Sequence, residues 1–233
     1  MIYVTGDTHG DRDRFCDAVM PGESDLTEND HLIICGDFGY IFRGGYDEDH
    51  FLDGLTKKPY TICFVDGNHE NFPGINAYPT ETWCGGRIHR IRENIIHLMR
   101  GQVFTIEGKT IFTMGGAYSI DRFCRTLGVS WWEEELPCNS EYREATRNLA
   151  EHGNRVDYII THTTSKRNII RMATDKSTGI FHMPDAKDSE LTGFFDWIED
   201  TVEYSHWYFG HFHIDRRITS KATALMFDLL KTE

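Results

Sequence analysis

Tyr60-Thr61-Ile62-Cys63-Phe64-Val65-Asp66-Gly67-Asn68-His69-Glu70 is an apolar run of strand length that stops in a cluster of polar residues able to bind metal. Its β-branched and aromatic content, bounded by Gly and Asn, reads as a β-strand. The same construction recurs along the chain. Ile2-Tyr3-Val4-Thr5 runs into Gly6-Asp7-Thr8-His9, and His31-Leu32-Ile33-Ile34-Cys35 runs into Gly36-Asp37. Val156 to Thr161 ends at His162, and Trp207-Tyr208-Phe209 ends at Gly210-His211-Phe212-His213. Helix candidates separate the first three strands: residues 11–20, with Phe15, Ala18 and Val19 on one face, and residues 47–57, with Phe51, Leu52 and Leu55 on one face. Alternating strands and helices predict βαβ units and a mainly parallel sheet. In such sheets sites form outside the carboxyl ends of the strands, so these polar loops are expected to meet there.

The middle of the chain changes character. Ile95 to Leu98, Gln102 to Ile106 and Thr110 to Met114 read as short strands, with Glu107-Gly108-Lys109 a tight turn between the last two. They are expected to extend the architecture antiparallel, packed as a second sheet, and Gly115-Gly116 stops the last of them. Residues 121–138 are an irregular segment carrying Trp131-Trp132-Glu133-Glu134-Glu135. Residues 140–152 are a helix candidate ending at Gly153, and residues 172–188 have loop composition. Residues 189–203 suit a helix, with Leu191, Phe194, Phe195 and Ile198 on one side, and Ala222 to Leu230 reads as a closing strand. With no repeat, low-complexity tract or linker, a single domain over residues 1–233 is expected.

Composition sets the outer bounds. Hydrophobic residues at 39% and charged residues at 26% are ordinary for a soluble globular chain of 233 residues. The formal charge of −13 repels polyanions and anionic lipid at long range, so stable nucleic-acid binding is not expected. Cys16, Cys35, Cys63, Cys84, Cys124 and Cys138 include no C-x-x-C pair, which disfavours a zinc knuckle and suits free thiols in a reducing compartment. Strand-like sequence begins at Ile2, with no signal peptide before it, and no apolar stretch is long enough to cross a bilayer. The expected location is cytoplasmic.

The strand-end residues form a mixed donor set: carboxylates at Asp7 and Asp37, an amide oxygen at Asn68, and imidazoles at His9, His162, His211 and His213. Oxygen and nitrogen without sulfur suit Mn²⁺, Fe or Zn²⁺, whereas Ca²⁺ prefers all-oxygen shells. Seven such residues exceed one tetrahedral shell and suit two ions about 3.5–4 Å apart with a bridging carboxylate. Each motif alone has a plainer reading. Asp7 could be a turn residue, His9 a helix-start residue, Asn68 a left-handed turn residue and His162 a packed or capping histidine. Their combination in this order makes coincidence a poor explanation. A dinuclear centre has one common use, the activation of water against a phosphate ester.

Asp7-Thr8-His9, Gly36-Asp37, Gly67-Asn68-His69-Glu70, His162 and Gly210-His211-Phe212-His213, in that order, resemble the calcineurin-like metallophosphoesterase superfamily from Asp7 to His213. The resemblance implies an α/β fold, a four-layer αββα sandwich of two mixed β-sheets flanked by helices. It implies that Asp7, His9 and His213 bind one of two divalent ions (Mn, Fe or Zn), that Asn68, His162 and His211 bind the other, and that Asp37 bridges them. It implies hydrolysis of phosphate mono- or diesters by a metal-activated hydroxide, with His69 as general acid or hydrogen-bond donor. The protein Ser/Thr phosphatase branch carries a second Asp three residues after the bridging one, followed by Arg; here Tyr40 and Ile41 stand in those places. Arg43 and Arg122 are candidate phosphate contacts in its stead, the alternative for each being a solvated surface arginine. Trp131-Trp132 could wall or cover the site, or simply pack in the core. Thr163-Thr164 stands where many relatives carry His or Pro, and is expected to tune the second ion's surroundings. Two other classes compete with the enzyme: a catalytically silent metal-binding scaffold of the same fold, and a regulatory protein with one closed structural zinc.

Overall fold

The computed structural model describes residues 1–180 and 189–232. Strands β1 (Ile2–Thr5), β2 (His31–Ile34) and β3 (Thr61–Phe64) run parallel, with Val4, Ile33 and Cys63 in register. Helices α1 (Tyr46–Leu55) and α2 (Phe72–Asn76) flank β3 in sequence. Strands β4 (Thr80–Trp83) and β5 (Gly86–Arg92) form a hairpin, and β6 (Ile95–Leu98) returns parallel to β3. Strands β7 (Gln102–Ile106) and β8 (Lys109–Met114) form a second hairpin, closed by Glu107 and Gly108 at φ 50° and 74°. Then come α3 (Asn139–Glu151), β9 (Arg155–Thr161), α4 (Lys166–Thr174), α5 (Ser189–Thr201) and β10 (Glu203–Phe209). Strands β11 (Arg216–Thr219), β12 (Ala222–Ala224) and β13 (Leu230–Lys231) finish the described chain.

Two mixed sheets result, of seven strands (β13-β1-β2-β3-β6-β5-β4) and six (β11-β12-β10-β9-β8-β7). The period of two along each strand assigns the layers. Val4, Ile33, Cys63 and Val65 from the first sheet meet Ile111, Tyr158, Ile160 and Tyr208 from the second. The opposite side chains of the first sheet, Leu32, Ile34, Ile62 and Phe64, pack beneath Leu52 and Leu55 of α1. On the far side, Phe112, Ile159, Trp207 and Phe209 pack against Leu149, Ile169, Phe195 and Ile198 of α3, α4 and α5. Each such buried side chain contributes about 1.5–3 kcal/mol over its exposed state. This is the αββα arrangement that the resemblance implied. The parallel strands β1, β2 and β3 and their counterparts β8, β9 and β10 point their carboxyl ends to a common edge.

Several expectations are corrected. Residues 11–20 form turns, not a helix: the Asp11 side chain accepts from Asp13 N at 3.0 Å, Cys16 Sγ donates to Asp13 O, and Arg14 turns inward to Thr5 Oγ1. Local Asp side-chain bonds compete with helical ones. Ile95 to Leu98 belongs to the first sheet, parallel to β3, while only β7 and β8 open the second. The span 222–230 divides between the sheets as β12 and β13, because the Asp215 carboxylate takes the N–H groups of Met226, Phe227 and Asp228 at 2.7–3.0 Å and turns the chain. Residues 172–174 extend α4, which Ser165 caps by accepting from Asn168 N at 3.1 Å. The remainder of the loop expected at 172–188 lies partly outside the described residues, at 181–188.

Candidate metal centre

The loops following β1, β2, β3, β9 and β10 are stitched together by their own backbones. Thr8 N and His9 N donate to Asp37 O at 3.1 and 2.7 Å, Gly10 N to Phe38 O at 3.0 Å, and Gly210 N to His162 O at 2.9 Å. His9, Asp37, His211 and His213 all adopt positive φ, between 48° and 67°. Left-handed backbone costs a side-chain-bearing residue about 1–2 kcal/mol, and such strain concentrates at functional sites. Two glycines make room for the convergence: a Cβ on Gly36, whose φ is 98°, would overlap the His162 ring, and one on Gly210 would overlap the Asp7 carboxylate.

All seven expected donors come together. Asp7 Oδ2 is 3.2 Å from His213 Nε2, which is 2.9 Å from His9 Nε2. His162 Nε2 is 3.0 Å from Asn68 Oδ1 and 3.5 Å from Asp37 Oδ2. The same Asp37 oxygen lies 3.7 Å from His9 Nδ1, so it stands between the two groups of donors. The His211 ring meets the His162 ring edge-on at 4.9 Å, and His211 N donates to both Asp7 oxygens at 3.0 Å. Asp7 and Asp37 are buried, and among the described residues their ion pairs all go to imidazoles.

This arrangement needs added positive charge. His162 Nδ1 is 2.9 Å from the carbonyl of Cys35 and must donate to it, which turns Nε2 toward two oxygens that only accept. Burial alone would push the His162 imidazole down, but Asp37 and Asp7 overcome it and raise it to about 10. A proton or a metal ion at Nε2 resolves the conflict. By contrast, burial pushes His211 down to about 3, leaving a neutral imidazole suited to bind a cation. The donors fit divalent ions: Asp7, His9 and His213 lie within mutual reach of one ion, as do Asp7, Asp37 and His162.

His69 sits at the rim. Its backbone N–H donates to Asp37 Oδ1 at 2.7 Å, and its ring lies 5.5 Å from that of His9. Burial lowers its pKa, with Asp37 opposing and Arg125 adding to the effect. Tyr40, in the place of the branch's second Asp, stacks on Phe51 and donates its hydroxyl to Asp11 O. Arg43 lines a cavity of about 570 Å³ over His9 and His69. Arg122 pairs instead with buried Glu135, between the rings of Tyr118 and Trp131 at 4.1 and 4.3 Å. Trp132 is buried and meets Phe42 edge-on at 5.7 Å, as the core-packing alternative expected. Thr163 Oγ1 is buried without a hydrogen-bond partner among the described residues, and Thr164 Oγ1 accepts from Asn168 at 3.1 Å.

Three further residues shape the site. Glu70, fully buried, accepts from Phe38 N at 2.6 Å and Gly39 N at 3.2 Å, clamping the loop that carries Asp37. Ser119 Oγ accepts from Asn68 Nδ2 at 3.0 Å, which turns Oδ1 toward His162. Arg125 brings a guanidinium nitrogen to 3.3 Å from His69 Nε2. Glu70 follows His69 directly in the motif, whereas Ser119 and Arg125 lie in the irregular connection between β8 and α3 and carry no local signal.

The family of calcineurin-like phosphoesterases matches residues 1–215, and the chain belongs to it. Comparison with curated proteins gives no match. Family and fold together define a metal-dependent phosphoesterase at the level of the superfamily, acting on a phosphate-ester substrate. No helix among the described residues is long and apolar enough to cross a membrane.

Proposed function

We propose that this chain hydrolyses phosphate esters at a pair of divalent ions. Asp7, His9 and His213 would hold one ion, Asn68, His162 and His211 the other, and Asp37 both. The observation that carries the reading is Asp37: one buried carboxylate oxygen faces His162 Nε2 at 3.5 Å and His9 Nδ1 at 3.7 Å, one imidazole from each group. The oxygen and nitrogen donor set suits Mn²⁺, Fe or Zn²⁺.

Bound ions of this kind lower the pKa of water and neutralise charge on the phosphoryl oxygens. The protein's own groups supply the rest. Cys35 O holds His162 in the tautomer that leaves Nε2 available, and Ser119 orients the Asn68 amide. His69 faces the cavity from the rim, where an alkoxide leaving group needs a proton, and its imidazole is the group that would supply it. Its attachment through Asp37 fixes its distance from the paired donors.

The test is turnover of p-nitrophenyl phosphate and bis-p-nitrophenyl phosphate by the manganese-loaded chain. Hydrolysis of either, abolished by a chelator and restored by Mn²⁺, is expected. Two ions bound with no hydrolysis of any phosphate ester would leave the catalytically silent scaffold in its place.

A further inference from the structure

We infer that Arg125 is the phosphate-binding arginine of this site and that it selects monoesters over diesters. The inference rests on the phosphoesterase reading and names its substrate class. Arg125 reaches the rim from the connection between β8 and α3, far in sequence from any metal-binding motif. Its Nε donates to Asp121 Oδ1 at 2.7 Å and its Nη1 to Ser130 O at 3.1 Å, while Nη2 stands 3.3 Å from His69 Nε2. Three of the five guanidinium N–H groups are thereby directed, and the other two have no partner among the described residues. The cavity of about 570 Å³ that Arg125 lines has His9 and His69 beside it and Arg43 on its wall.

The connection is built to hold this arginine in place. Buried Glu135 accepts from Ser119 N at 2.7 Å and pairs with Arg122, which is itself clasped between two aromatic rings. Arg122 is thus structural, whereas Arg125 is presented to the cavity. Ser119, in the same connection, orients Asn68. One segment therefore positions a donor of the metal centre and supplies a cation beside it.

The chemistry separates the ester classes. A monoester near neutral pH carries close to two negative charges on three non-bridging oxygens. A diester carries one charge on two such oxygens, and a carbon substituent occupies the third direction. If a pair of ions held at Asp7, Asp37 and the histidines took two of these oxygens, only a monoester would have a charged oxygen left for a further cation. A planar, pre-oriented guanidinium is the group that binds such an oxygen best, and lysine does not replace its fork.

The experiment compares wild type, Arg125→Ala and Arg125→Lys as manganese-loaded full chains. It measures kcat and KM on p-nitrophenyl phosphate and bis-p-nitrophenyl phosphate, and orthophosphate affinity by calorimetry. Arg125→Ala is expected to lower monoester kcat/KM by about 10–100-fold, as loss of a charge-assisted bond implies, and diester kcat/KM by a clearly smaller factor, since the loss common to both esters is only the contact of Arg125 with His69. Orthophosphate affinity falls about 10-fold or more on the same basis, and Arg125→Lys recovers only part of either loss. Equal loss on both esters, or no loss on the monoester, overturns the inference. If wild type hydrolyses neither ester, the phosphoesterase reading fails, and unchanged orthophosphate affinity in Arg125→Ala would still refute the phosphate contact by itself.

Discussion

The Nε2 of His162 lies 3.0 Å from Oδ1 of Asn68, and while a neutral His162 keeps its Nδ1–H on the Cys35 carbonyl neither atom can donate to the other. Two acceptors held face to face in a buried pocket define a place for a cation. Asn68 is turned to this position by Ser119, and His162 by a backbone carbonyl, so the protein's own groups fix both orientations.

Ser119→Ala removes the acceptor for Asn68 Nδ2 while leaving every metal donor in place. Loss of a partner that orients a ligand weakens metal affinity about 10–100-fold. Competition with a chelator checks this, and Ser119→Thr, which keeps the hydroxyl, should recover most of the affinity. Unchanged affinity in the alanine variant would show that Asn68 needs no such support.

His69→Asn is expected to retain both ions and lose most turnover, by about 10²–10⁴-fold, the usual contribution of a positioned proton donor. Metal content by mass spectrometry and kcat on p-nitrophenyl phosphate check the two halves separately. Loss of metal together with rate would instead make His69 part of the ion shell.

Gly36→Ala places a Cβ on the His162 ring at a backbone φ of 98°. Overlap with a buried ring and left-handed strain act together, so a stability loss of about 2–4 kcal/mol is expected. Urea denaturation measures it. A variant as stable as wild type would mean that the β2 and β9 loops do not meet as closely as described.

Asp30, remote from the site, sets an acid limb of stability. Burial alone would raise its carboxyl, but hydrogen bonds from Thr27 N and Thr27 Oγ1, both 2.8 Å, overcome this and hold it below the usual range. The folded pKa is depressed below an unfolded value of about 3.9, so this stabilisation is complete above that pH and is lost as pH falls through it toward the folded value. Asp30→Asn should cost about 1–3 kcal/mol at pH 7 and flatten the dependence of stability on pH below about 5. Denaturation curves across pH 3–7 check it; an acid limb as steep as in wild type would assign it to other carboxylates.

The convergence of the donor loops was legible because each follows an apolar run, and parallel strands bring their carboxyl ends to one edge. Asp7, His9, Asp37, Asn68, His162, His211 and His213 all met this condition and all converge. What sequence could not carry was anything set by tertiary contact. Arg125 and Ser119 lie in irregular chain, and their roles depend on Glu135 and Ser130 rather than on any periodic pattern. Residues 11–20 show the opposite failure: the apolar spacing suits a helix, yet Asp side chains bonding to local N–H groups and the buried Arg14 take the chain another way. The closing span failed for a third reason, since Asp215 reaches across eleven residues to turn Met226 and send the chain from one sheet to the other.

The central claim is that Asp37 holds two ions at once. Metal content of the manganese-saturated chain and of Asp37→Asn, measured by mass spectrometry after gel filtration, tests it most directly. The expected result is about two ions per wild-type chain, with both lost or weakened together in the variant. Clearly fewer than two ions in saturated wild type, or a variant that keeps its full metal content, would contradict it.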